Sequence, residues 1–252
     1  MTRKSLSRLP VILAIAPLAL GLAACSKEGD SGSSLSGAPI AKVAAPAGKT
    51  WAETIAVTPE LGYRMGNPDA PIKVVEYGSL TCPHCAEFAE KSTAEMRDNF
   101  VASGRVSFEF RNFIRDAIDL TATQLTRCGP PETFFALTDQ VFAGQKSFFE
   151  KAQAAGKPAQ DAAFQAPPAQ RGPMIGQLTG LTDFVSSRGI SKDQANACLA
   201  DVAKAEALAT ATNQQGEQYQ IEGTPTFLIN GKKADVKSWE ELKAELERLG
   251  AR

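Results

Sequence analysis

The sequence predicts an α/β domain with a helical segment inserted into it, and three observations carry that expectation. A β-branched, mostly apolar run at residues 72–77 reads as a buried strand. It leads through small residues into a helically spaced segment that opens on Cys82-Pro83-His84-Cys85. An alternating run at 106–110 follows as a second strand, giving the strand–helix–strand crossover of a parallel sheet. A further strand, hairpin and helix close the chain from Thr226 onward, and residues 116–220 between these halves read as helical, broken by Gly and Pro near Gly129-Pro130-Pro131, Gly156-Lys157-Pro158 and Gly172-Pro173.

Taken in order, the chain of 252 residues opens on a basic stretch with Arg3, Lys4 and Arg8, followed by apolar residues 9–22 interrupted by Pro10 and Pro17. This is too short and too broken for a membrane span, which takes about 20 apolar residues, and it reads as an export signal over 1–24. It ends in Leu22-Ala23-Ala24-Cys25, which resembles the lipobox of bacterial lipoproteins and would leave Cys25 as a lipidated N-terminus. The other reading is a plain secretory signal cut near Ala24. Residues 25–50, rich in Ser, Gly, Ala and Pro, read as a flexible tether. The net charge of −1 becomes mildly more negative once the basic leader is removed, which argues against nucleic acid as a partner.

The folded part divides into a first half at 51–115, the helical insertion at 116–220 and a second half at 221–252. The cluster Asn67-Pro68-Asp69-Ala70-Pro71 is a turn before the first strand, and helical spacing runs over 86–100 through Phe88, Met96 and Phe100. In the second half, Asn230-Gly231 is a hairpin turn, 234–237 reads as the returning strand, and Ser238 with Glu241 forms a capping box for a last helix ending near Leu249.

The chemistry gathers on the cysteines. Cys82 would sit at a helix N-terminus, where unpaired N–H groups and the positive end of the dipole favour a thiolate. Cys85, one turn on, would be the more buried partner, and Pro83 suits the first helical turn because its missing N–H costs nothing there. His84 is the single histidine; beside a thiolate it would stabilise the negative charge, and otherwise it is a polar helix residue. A zinc site finds no second Cys-x-x-Cys or His pair to complete four ligands, and a static disulfide gains little from so short a loop.

A Cys-x-x-Cys at a strand-to-helix junction, a helical insertion, and Gly223-Thr224-Pro225 before a strand and hairpin together resemble the thioredoxin fold. The Cys-Pro-His-Cys sequence is similar to that of the DsbA-like thiol:disulfide oxidoreductases. The resemblance covers roughly Tyr63 to the C-terminus. It implies a catalyst that passes the Cys82–Cys85 disulfide to reduced or unfolded exported proteins and needs no bound cofactor or metal. A membrane redox partner, either a quinone-linked oxidase or a thiol reductant donor, would serve it. The resemblance also implies a cis Pro225 facing the cysteines, with backbone beside it for an extended peptide, and a buried acid at Glu76. From the residues alone, Glu76 is either that acid or an exposed strand residue. Thr224 departs from the best-known DsbA branch, which has valine there, and matches the DsbC and DsbG isomerases, so a reductase or isomerase role stays open. So does a peptide-binding chaperone or surface lipoprotein with an incidental redox pair. Cys128 and Cys198 form an even pair in the insertion, either as a structural disulfide, which some DsbA-like proteins carry, or as two buried thiols.

Overall fold

The computed structural model describes residues 37–252. The predicted export signal, Cys25 and the first part of the expected tether lie outside the described residues. From Gly37 on, the segment expected to be a free tether is docked instead. Gly37 N–H donates to the Arg248 carbonyl and Ile40 N–H to that of Gly250, each at 2.9 Å, while Val43 N–H donates to Ser103 O at 2.9 Å. Trp51 Nε1 closes the segment by donating to Val43 O at 2.8 Å. The small and proline residues that make this stretch look unstructured leave its main chain free to pair with other loops.

Six strands form one mixed sheet: β1 (Ile55–Val57), β2 (Tyr63–Gly66), β3 (Ile72–Gly78), β4 (Val106–Asn112), β5 (Thr226–Ile229) and β6 (Lys232–Ala234), in the spatial order β1-β2-β4-β3-β5-β6. β3 and β4 run parallel, with Ile72 opposite Val106, and are joined by α1 (Pro83–Glu95) and a wider helical turn over Met96–Val101. β1 and β2, of three and four residues, were not expected from the sequence; they add antiparallel strands on the far side of β4. The returning strand β6 starts at Lys232 rather than at Ala234. Asn230 and Gly231 both take positive φ, 50° and 77°, so a two-residue turn feeds directly back into pairing.

The insertion contains α2 (Ala117–Thr126), α3 (Phe134–Ala154), α4 (Gly156–Phe164), α5 (Pro168–Thr179), α6 (Leu181–Ser186), α7 (Lys192–Ala200) and α8 (Val202–Tyr219). The chain then returns through β5 and β6 to α9 (Trp239–Arg248), whose Ser238 cap accepts from Glu241 N–H at 3.2 Å. Trp239, Leu242 and Leu246 recur on one helical face and are all buried against Phe88, Phe100 and Phe227. Each buried leucine there contributes about 2 kcal/mol of apolar burial. A second cluster joins Leu80, Cys82 and Cys85 to Leu125, Phe134 and Phe142 of the insertion, so the cysteine-bearing turn is packed between the two parts.

Candidate active site

Side chains alternate across β3. Ile72 and Val74 pack in the cluster under α1 and α9, while Val75 and Tyr77 pack on the opposite face with Ile221 and Leu228. Glu76 shares parity with Ile72 and Val74, and so it lies on the face covered by α1. It is 3% exposed, and its Oε1 has no hydrogen-bond partner among the described residues. Burial, then the charges of Asp139 and Cys82, push its carboxyl up to about 8. Gly78 ends the strand because there is no room for more: a Cβ there would come within 2.5 Å of the Phe110 ring.

The turn after Gly78 delivers Cys82 as the N-cap of α1, in extended backbone, with Pro83 as the first helical residue. No side chain caps this helix with a formed hydrogen bond. Its exposed donors act on the Cys82 sulfur instead. The thiol of Cys82 is lowered to about 4, chiefly by the Cys85 thiol. The Thr224 side chain and the backbone N–H groups of Cys85 and His84 add to this, against the opposing effect of burial. Cys85 moves the other way: the bond to Cys82, burial and the Glu76 charge all hold its proton on. Both thiols are reduced and buried, while Pro83 and His84 between them are exposed. The main-chain N–H of His84 is what reaches the sulfur; its side chain lines the groove outside.

The Thr224–Pro225 peptide bond is cis. Cys82 Sγ lies 3.2 Å from the Thr224 carbonyl oxygen, to which the thiol form donates. A surface groove of about 340 Å³ opens beside this pair, bounded by His84, Phe88, Thr224, Pro225 and Trp239.

The insertion also grips the turn, through residues that sequence reading missed. Asp119 Oδ2 accepts from Ser79 Oγ at 2.6 Å and its Oδ1 from Leu80 N–H at 2.9 Å, while Asp116 accepts from Thr81 Oγ1 at 2.9 Å. Burial pushes Asp119 up to about 7. From α3, Gln145 Nε2 donates to the carbonyls of Leu80 at 2.9 Å and Cys82 at 3.1 Å. The Asp116-x-x-Asp119 spacing marks a helix start, and Asp116 does cap α2, but the spacing does not reveal that the carboxylates turn toward a loop 35 to 40 residues away. Cys128 and Cys198 are joined in a disulfide with Cα atoms 6.0 Å apart, linking the end of α2 to α7.

Residues 59–248 match the family model described as Thioredoxin. The chain belongs to the thioredoxin family. Its fold is the thioredoxin fold with an inserted helical region, as in DsbA-like structures. A protein-disulfide isomerase structure from Novosphingobium aromaticivorans has a TM-score of 0.70 and 33% identity, covering 75% of this chain and 97% of that one. Alpha-DsbA1 of Wolbachia pipientis shares the fold at a TM-score of 0.60 and 22% identity, over 74% and 89% of the two chains. A Rickettsia bellii protein named for protein-disulfide oxidoreductase activity is 27% identical over 184 residues, which is 73% of this chain and 62% of that protein's length. Among the described residues, no helix of this family member is long and apolar enough to cross a membrane.

Proposed function

We propose that this chain is a bacterial, extracytoplasmic protein-disulfide oxidoreductase that passes its Cys82–Cys85 disulfide to exported proteins through a mixed disulfide at Cys82. The observation that carries this reading is the opposed tuning of two thiols three residues apart. Cys82, drawn down to about 4, is a thiolate at neutral pH and a good leaving group. Cys85, which holds its proton tightly in the dithiol, is expelled when a substrate thiolate attacks Cys82 and takes up a proton from Glu76; a second substrate thiolate then attacks the substrate sulfur of the mixed disulfide and releases Cys82 as the thiolate. Thr224 and Pro225 present the edge against which an extended substrate chain lies, by backbone pairing that tolerates many sequences. A membrane quinone-linked oxidase reoxidises the pair, and Cys25, as a lipid anchor, holds the domain near it.

A second reading keeps the site and reverses the electron flow, to a reductase or isomerase kept reduced by a membrane donor. Thr224 beside Cys82 favours it, as does the 33% identical structure named as a protein-disulfide isomerase. The reduction potential of the purified domain, equilibrated against glutathione with Cys128 and Cys198 in place, separates the two. A value near that of DsbA, about −120 mV, supports disulfide donation; one near that of thioredoxin, about −270 mV, makes the reductive role primary. Loss of exchange in Cys82→Ser is required by both, and retained exchange would reject both.

A further inference from the structure

Beside Glu76 lies a small cavity of about 30 Å³, enough for a water. Glu76 from β3, Ser92 and Thr93 from α1, and Thr138 and Asp139 from α3 put polar groups on its wall. Two of these are unsatisfied: Glu76 Oε1 and Thr138 Oγ1 are buried without a hydrogen-bond partner among the described residues, in side chains each 3% exposed. Buried polar atoms around a space of this size are the setting in which an ordered water makes two to four bonds. The outer wall continues into a groove of about 680 Å³ between α1 and α3, and Thr93, Arg97, Asp139 and Phe142 border both spaces. Asp139 is the half-buried carboxylate common to the two, and accepts from Thr93 Oγ1 at 3.1 Å.

We infer that Asp139 is the outer station of a proton path that runs from Cys85 to Glu76, across this cavity, and out through the groove between α1 and α3. The inference rests on the proposed redox role of the Cys82–Cys85 pair. In the closing step of reoxidation, with Cys82 in a mixed disulfide with the oxidising partner, the Cys85 thiol gives its proton to the ionised form of the Glu76 carboxyl as its sulfur attacks Cys82. The bond between Cys82 and the sulfur of the oxidising partner breaks, the electron pair leaves with that sulfur, and the partner's thiolate takes a proton from solvent. Glu76, 3% exposed, is then left with a proton it cannot pass directly to bulk solvent. Asp139, reached through the cavity, returns it to solvent. The ionisable groups near this route are Cys82 and Cys85, Arg97, which pairs with Asp98 at 2.7 Å, and Lys146, Glu87 and Glu90 at the groove mouth. Burial pushes Asp139 up to about 6, between the protein interior and bulk water, which suits a carrier that must both take and release the proton at neutral pH.

The competing role for Asp139 is a plain staple between α3 and α1. To separate the two, Cys82 is loaded with glutathione as a mixed disulfide, and glutathione release by Cys85 is followed by stopped flow across about pH 5 to 9, in the unmutated protein and in Asp139→Asn. The relay predicts closure slowed about tenfold in Asp139→Asn with an altered pH profile, restored by added formate and retained in Asp139→Glu. Thr138→Val, which removes a cavity hydroxyl and no charge, is expected to slow closure in the same direction. Closure as fast as in the unmutated protein in both variants, or slowing that formate does not relieve, overturns the relay. Failure of the unmutated protein to close at all would remove the redox reading and the relay with it, and is recognised because it needs no variant.

Discussion

The molecule holds two cysteine pairs in opposite surroundings. Cys82 and Cys85 are three residues apart, 3% and 0% exposed, and reduced; Cys128 and Cys198 are 70 apart, half-buried and bonded. Accessibility alone would rank the second pair as the more reactive. What distinguishes the first is charge: a helix N-terminus and neighbouring donors hold a thiolate at Cys82, while burial and Glu76 hold a proton on Cys85. The second pair has its main chain bound by amide side chains, Gln124 Nε2 to Cys198 O at 3.1 Å and Gln194 Nε2 to Cys128 O at 2.9 Å, and acts as a brace between helices.

The widest separation of the two pairs is in exchange chemistry. Cys82→Ser is expected to reduce thiol–disulfide exchange with a peptide substrate to the background rate, whereas the Cys128→Ala/Cys198→Ala double variant keeps it largely unchanged. Loss of exchange in the double variant, with the fold intact by circular dichroism, would break the comparison.

The converse holds for stability. Removing the Cys128–Cys198 bond frees a loop of 70 residues in the unfolded chain and is expected to cost about 4 kcal/mol on the chain-entropy model. Urea unfolding of the double variant at a fixed redox state measures it; an unchanged midpoint would make the brace ornamental.

The difference between the pairs was partly legible in the sequence. Pattern and turn chemistry give β3, the helix opening on Cys82, and the hairpin at Asn230-Gly231, because each rests on local periodicity or a required positive φ. Parity along β3 also aligns Glu76 with Ile72 and Val74, but a strand buried on both faces has no polar side to mark which way a carboxylate points. Asp119, Gln145 and Asp139 were not legible, because each acts on residues 39 to 65 positions away, a distance no local pattern encodes. β1 and β2 were missed for another reason: three or four residues are too few to display a period, and they are held by pairing to β4.

Glu76 sharpens the comparison next, because it belongs to one pair only. Its folded value, about 8, lies above the ordinary 4.5. The reduced native state therefore keeps a proton that the unfolded chain loses, and stability falls as pH rises from about 4.5 to 8. Glu76→Gln is expected to flatten that decline and to stabilise the reduced protein at pH 8 by up to about 4 kcal/mol. Parallel urea midpoints at both ends of the window test it. A variant less stable than the parent at high pH would show that the charged carboxylate is satisfied.

The finest distinction concerns how the charge on Cys82 is shared. In the reduced protein, thiolate absorbance is expected to titrate with a midpoint near 4, with Cys85 contributing nothing in the same range, since its proton is held far more tightly. The Cys85 thiol supplies most of the lowering, and the Thr224 side chain a smaller part against the cost of burial. Thr224→Val keeps the shape and removes the hydroxyl, which has no formed hydrogen bond among the described residues. The midpoint should rise by less than about one unit, equivalent to under about 1.4 kcal/mol. A midpoint that does not move would assign the thiolate to Cys85 and the helix N-terminus alone. It would also leave Thr224 with no electrostatic part in setting the direction of exchange.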